Sequence, residues 1–146
     1  MFFKFVEIIK ALFEKRIFIM ANTLTVNARV RMLSGDFNWE NDVIKVILTS
    51  SQYNYQASHG TLSDISPVGR VTQPVALQNK TITADGAADA DDVTIPSVSG
   101  DTITRIFLFT DTGVADTSKL IAMIDTATGL PLTPNGGDVA PLPLAA

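Results

Sequence analysis

The sequence predicts a mainly β fold: a β-sandwich or distorted barrel with one short N-terminal helix packed on it, preceded by an amphipathic N-terminal extension. Three observations predict it. Residues 102–127, TITRIFLFTDTGVADTSKLIAMIDTA, hold the longest apolar runs outside the first twenty residues, at 106–109 and 120–124. Runs of this length read as strands that are apolar on both faces. Ile44, Val46 and Leu48 alternate with Lys45 and Thr49, as in a strand with one face on a core. Turn residues recur between such segments, at Gly35-Asp36, Ser99-Gly100 and Asp111-Thr112-Gly113. A sheet open to water on one side would not suit the central pair, so other protein must cover both of its faces.

The chain has 146 residues, 46% of them hydrophobic, enough for one domain with a genuine core. We divide it into an extension over 1–20, a β-rich structural domain over 21–138 and an extended tail over 139–146. There is no cysteine and only one histidine, which removes disulfides, thiolate chemistry, Cys-ligated zinc and multi-His metal sites. The net charge is −4. The first twenty residues carry Lys4, Lys10, Lys15 and Arg16 against Glu7 and Glu14, which leaves 7 basic and 13 acidic residues in the remainder, or −6. An acidic body gives no footprint for a phosphate backbone, so nucleic acid is not an expected partner.

In MFFKFVEIIKALFEKRIFIM, Phe2, Phe5, Ile9, Leu12 and Phe13 share one helical face and Lys4, Glu7, Lys10, Glu14 and Lys15 the other. Charged residues interrupt the segment too often for a membrane span or a signal peptide. Three readings stand: a helix lying on a membrane surface, an arm docked on a neighbouring subunit, or an upstream extension with Met20 as the natural start. An exposed apolar face of this length needs a partner.

Residues 22–34 space Leu24, Ala28 and Met32 four apart. We read a helix, with Asn22 or Thr23 as N-cap and Gly35 just past its end, although Leu24 to Met32 also alternates as a strand would. Trp39 is assigned to the core and 43–50 to a strand. Residues 50–68 form a long polar connection with one helical turn at 61–65, and long connections of this kind carry contacts or motion. Tyr53 and Tyr55, two apart, point the same way, either as interface anchors or packed back on their own sheet. Strands are expected at 70–77, where Pro74 marks an edge, and at 81–84. VTIP gives a further short strand, followed by the central pair. The tail, with Pro131, Pro134, Pro141 and Pro143 and Gly136-Gly137, is expected as an extended surface arm.

Catalytic, cofactor and metal sites are all read as none. His59 has Ser58 beside it and Asp64 five residues on, but no nucleophile-elbow sequence surrounds them, and adjacency does not make a triad. The acidic group Asp85, Asp89, Asp91 and Asp92 does not meet the calcium-loop pattern and reads as a solvated turn. The candidate sites are interface residues: Phe2, Phe5, Ile9 and Phe13 in the extension, Tyr53 and Tyr55 in the long connection, and Leu142 in the tail.

The string DTATGLPLTPNGGD at 125–138, with FNWENDVIKVIL, DADDVTI and FTDTG, resembles a family of small tailed-phage virion structural proteins. In that family a short helix runs into a W-x-x-D-x-I-K-V-x-L strand, matched here by Trp39, Asp42, Ile44, Lys45, Val46 and Leu48. A G-[AG]-R-V element follows, matched by Val68-Gly69-Arg70-Val71 with valine at the small position. The resemblance covers most of 22–138. Two departures stand out: the family usually starts near Met20, and it closes with a Trp-containing strand and a basic apolar tail where this chain has VAPLPLAA. Because Pro141 and Pro143 cannot donate to a ladder, the closing strand is expected to be absent or weakened. The open edge it would leave is a place for a neighbouring subunit or the N-terminal segment.

The resemblance implies a non-enzymatic virion protein, an auxiliary or decoration protein on the capsid. Its partners would be copies of itself and other virion proteins, in a homo-oligomer or larger assembly. The alternatives are a tail or baseplate component, and a carbohydrate- or host-surface-binding module that would use Tyr53, Tyr55 and Trp39.

Overall fold

In the computed structural model the described residues are 22–142; the extension, with Phe2, Phe5, Ile9 and Phe13, lies outside them. The fold is mainly β, as the sequence predicts. Its centre is a five-stranded sheet of β1 (Thr23–Leu24), β8 (Lys119–Ile124), β7 (Ile103–Thr110), β2 (Ile44–Ser50) and β3 (Val75–Ala76), in that spatial order and antiparallel throughout. Two small ribbons accompany it: β4 (Thr81–Ile82) with β5 (Ala88–Asp89), and β6 (Val93–Ile95) with β9 (Val139–Leu142). Among the described residues no helix is long and apolar enough to cross a membrane.

The contiguous apolar runs do face both ways. Val46 pairs with Leu108 and Ile47 with Phe107, so Ile44, Val46, Leu48, Ile106 and Leu108 line one face and Ile47, Phe107 and Phe109 the other. β8 adds a bulge. Phe109 pairs with Leu120 and Leu108 with Ala122, leaving Ile121 as the extra residue. Through that step Ile121 joins the first face, while Leu120 and Met123 join the second.

Trp39, Leu77, Val93, Ile95, Val98 and the helix residue Ala28 cover the first face. The second is covered by the connection after β2, through Tyr53, Tyr55, Leu62 and Ile65. Of the two readings of the tyrosines, the structure realises packing on their own sheet. Their side chains are 3% and 8% exposed, and both rings pack on Phe107 with centroids 5.5 and 5.7 Å away. Tyr53 and Tyr55 are therefore corrected from interface anchors to core residues.

The helix, α1 (Val26–Ser34), starts later than its sequence pattern suggests. Thr23 and Leu24 pair with Met123 and Ala122, which keeps them extended. The cap falls to Thr25, whose hydroxyl accepts from Ala28 N at 3.1 Å and donates to Leu120 O at 2.7 Å. Asn22 is not a cap either: it joins the start of the described residues to Asp125 and Thr126 through its side-chain amide. Gly35, at φ 80°, closes the helix as expected. The strand expected over 70–77 narrows to β3, since the hydroxyl of Thr72 takes the Leu48 N–H where a ladder bond would otherwise form.

The tail requires two corrections. Residues 129–138, expected as an extended surface arm, are a strap fastened to the sheet: Leu132 exchanges backbone bonds with Ile103 at 2.8 and 2.9 Å, and Gly136 and Gly137 bond to Val98 at 2.9 Å. Leu130 and Leu132 pack against the first core cluster. The chain then forms β9 in spite of Pro141. Val139 pairs with Ile95 and Leu142 with Val93, so the register steps between them. The extra residue lies on the β9 side, and an irregular step of this kind is where a residue without an N–H fits a ladder. The closing segment, expected to be absent or weakened as a strand, thus pairs irregularly as β9 through Leu142, whose backbone is a strand partner in this ribbon.

Gly69, in a 3-10 turn at Pro67–Gly69, shows how tightly the second cover is packed. A Cβ there would stand 2.4 Å from the Cβ of Tyr53 and 3.0 Å from its backbone N. Backbone cannot move aside as the end of a flexible side chain can. Gly69→Ala is expected to destabilise the fold by about 1–3 kcal/mol, read as a lower denaturant midpoint at unchanged m-value. A midpoint equal to that of the parent chain would show that the connection is not packed this closely.

Candidate functional site

The titratable groups of the long connection meet at one place. The Tyr53 hydroxyl lies 2.8 Å from His59 Nδ1, and the Gln56 N–H points at the same nitrogen at 3.4 Å. Nδ1 is therefore the acceptor, the proton of a neutral ring sits on Nε2, and the phenol donates. Burial, reinforced by the negative charge of Asp64, raises the Tyr53 pKa and keeps that phenol protonated. Asp64 does not orient the imidazole. Its Oδ2 accepts from Gly60 N at 2.8 Å, Thr61 N at 2.9 Å and Thr61 Oγ1 at 3.1 Å, ordering the turn Leu62–Asp64. These groups build the cover of the second face.

Arginines hold the same segment. Arg70 donates from Nε to Ile65 O at 2.9 Å and from Nη2 to Leu62 O at 2.6 Å. Arg105 donates to Tyr53 O at 2.9 Å. Arg70 of the Val68-Gly69-Arg70-Val71 element thus serves the Ile65 carbonyl and adds a second bond to the Leu62 carbonyl, which also accepts from Ile65 N at 3.1 Å.

The other sequence-matched residues also have structural tasks. Trp39, 7% exposed, donates from Nε1 to Asp89 O at 3.0 Å. Asp42 accepts from Asn38 N and faces Arg31 at 3.6 Å. Lys45 meets Asp111 at 2.6 Å, and that lysine, chiefly through its hydrogen bond, holds the Asp111 carboxyl below its usual pKa. In the acidic segment Asp85 accepts from Thr83 Oγ1 and Asp91 from Asn79 at 2.7 Å. Among the described residues no group of three or more His, Cys, Asp or Glu converges as a metal ion would require.

Two apolar features also face outward, both at α1. On α1, Val26, Val30 and Leu33 are 46%, 60% and 91% exposed; spaced i, i+4 and i+7, they fall within about 60° of one another, opposite the buried Ala28. On the other side of the helix lies an open groove of about 460 Å³, walled by Leu24, Met32, Phe37, Ile82, Ile121 and Ile124, with Trp39 at its base. Neither feature was singled out from the sequence. The stripe had a signal in the spacing of its residues, whereas the groove joins residues too distant in sequence for a pattern to reveal. Of the sequence-predicted interface residues, Tyr53 and Tyr55 are internal, Leu142 belongs to β9, and the extension residues lie outside the described chain.

Hydrogen bonds from the backbone of Thr61, above all, lower the Asp64 pKa. A carboxyl depressed on folding adds stability above its unfolded pKa and loses it as the pH falls through the folded value. Melting temperatures between pH 6 and pH 2 should therefore fall more steeply for the parent chain than for Asp64→Asn. At neutral pH the variant should be less stable by on the order of 1 kcal/mol, the size of a lost cap. Parallel melting curves across that range would remove Asp64 from this role. Comparison with protein-family models and with curated proteins finds no match to this chain.

Proposed function

We propose that this chain is a non-enzymatic structural protein of a tailed-phage virion, an auxiliary protein bound to the capsid surface. The observation that carries the binding part of this reading is the outward stripe of Val26, Val30 and Leu33 on α1. A stripe at helical spacing is the form in which one protein offers a helix to the groove or face of another. Virion membership rests on the sequence resemblance alone. Its motif residues here hold the fold, as expected of a family defined by a scaffold rather than a reaction. The non-enzymatic part is supported by the commitments of the polar groups: Asp64 to the amides of its turn, His59 to Tyr53, and Asp111 to Lys45. A sugar-binding module would need stacking from Tyr53, Tyr55 or Trp39, whose rings are occupied inside the protein.

Separating purified virus into tail-less shells and free tails, and locating the chain by mass spectrometry, tests the assignment. Hundreds of copies on shells are expected. Low copy number on tails alone would make the protein a tail or baseplate component, and absence from both would end the virion reading. The stripe is tested with Val30→Asp and Leu33→Asp together. Exposed substitutions of this kind change stability by only about 0.5 kcal/mol each, so the fold should persist. Occupancy of the particle should fall about tenfold, the equivalent of about 1.4 kcal/mol. Unchanged occupancy would move the contact elsewhere.

A further inference from the structure

We infer that the groove beside α1 is the docking site for the apolar face of the chain's own N-terminal segment, residues 2–13. This inference is independent of the virion reading. Four observations support that occupant. First, the described chain begins at the groove: Asn22 and Thr23 are part of its lining, and Asn22 is bonded to Thr126 O, Asp125 N and Thr126 N at 3.0, 3.2 and 3.1 Å. The segment is therefore tethered at the mouth of the site.

Second, the dimensions agree. As the amphipathic helix its sequence predicts, the segment of twelve residues would extend about 18 Å, and the connecting residues 14–21 can span about 26 Å, enough to return it along the groove. A tether this short gives an effective concentration in the millimolar range, which favours the chain's own segment over that of a second copy in dilute solution.

Third, the chemistry matches. Leu24, Met32 and Ile82 stand exposed along the walls, and the one polar group of the Trp39 side chain already serves Asp89 O. A site with so little polar provision suits side chains such as Phe2, Phe5, Ile9, Leu12 and Phe13, which ask for apolar contact and nothing else. Fourth, the charges are compatible. The polar face of the segment carries Lys4, Lys10 and Lys15 against Glu7 and Glu14, and the β4–β5 ribbon that forms one wall presents exposed Asp85 and Asp89. Docking would bring a small basic excess against an acidic rim.

Because the chain has no cysteine, the site can be tested with introduced pairs in the full-length protein. Ile9→Cys combined with Ile82→Cys should form an intramolecular disulfide on mild oxidation of dilute protein. Its yield should exceed by about tenfold that of Ile9→Cys with Leu33→Cys, whose partner lies across the helix on the exposed stripe. Equal yields from the two pairs would overturn the inference, and so would a link found only between chains. A second measurement avoids oxidation altogether. In Phe5→Asp with Ile9→Asp, the emission of Trp39, the sole tryptophan, should shift to the red, and an apolar dye should bind, while the far-ultraviolet circular dichroism of the β domain stays that of the parent. Trp39 emission and dye binding unchanged from the parent chain would show that the segment does not occupy the groove.

Discussion

The burial of β7 on both faces governs the rest of the structure. Ile106 and Leu108 point one way, Phe107 and Phe109 the other, and all are shielded from water. A strand of this composition cannot sit in a one-layer sheet, because one apolar face would remain in solvent at about 25 cal/mol for each Å². The first face receives α1, the small β6–β9 ribbon and the strap at 129–138. The second receives a segment with scarcely any regular structure, and covering a core with irregular backbone raises a separate problem: its N–H and C=O groups lose water without gaining a ladder. Arg70, Arg105 and Asp64 solve it locally by meeting the carbonyls of Leu62, Ile65 and Tyr53 and the amides of Gly60 and Thr61.

This solution bears on function. The histidine, the carboxylate and the tyrosines that a search for chemistry would select are the parts that hold the second cover in place. Tyr53 packs edge-on to Phe107 and stacks on His59, with aromatic contacts of about 0.5–1.5 kcal/mol each. The same logic extends to the strand motif, in which Ile44, Val46 and Leu48 are core and Asp42 and Lys45 form ion pairs at its edge. Among the described residues, the surface features outside these networks include an apolar stripe and an apolar groove at α1.

Some of this was legible in the sequence because it depends on local pattern. The 106–109 and 120–124 runs specify strands without naming their partners, and alternation at 44, 46 and 48 specifies a face. Period two also says correctly that Tyr53 and Tyr55 point the same way. It cannot say which way, since that depends on Phe107, some fifty residues on. The helix pattern is genuine, but its start was decided by pairing of Thr23 and Leu24 with β8, a tertiary contact that overrides propensity. Pro141 lacks a ladder donor, which the sequence shows, whereas the irregular step in β9 that accommodates it has no local signal. The groove had no sequence signal at all, because Leu24, Met32, Ile82 and Ile121 become neighbours only when the ribbon, the helix and β8 are assembled.

The groove and the stripe lie on opposite sides of one short helix, and that arrangement couples them. Nine residues do not form a stable helix alone in water, and α1 buries only Ala28 among its own side chains. Its position depends on its ends. Thr25 fastens the first turn to Leu120 O, while Arg31 fastens the last to Thr110 and Asp36 and lies over the ring of Phe37 at 5.5 Å. An occupant packed against Met32 in the groove would add apolar support to the last turn of the helix, beside the bonds of Arg31. The same occupant would hold Val26, Val30 and Leu33 in register for a partner on the far side. Filling the groove and binding through the stripe would then reinforce each other through the helix they share, with each reducing the ordering cost of the other.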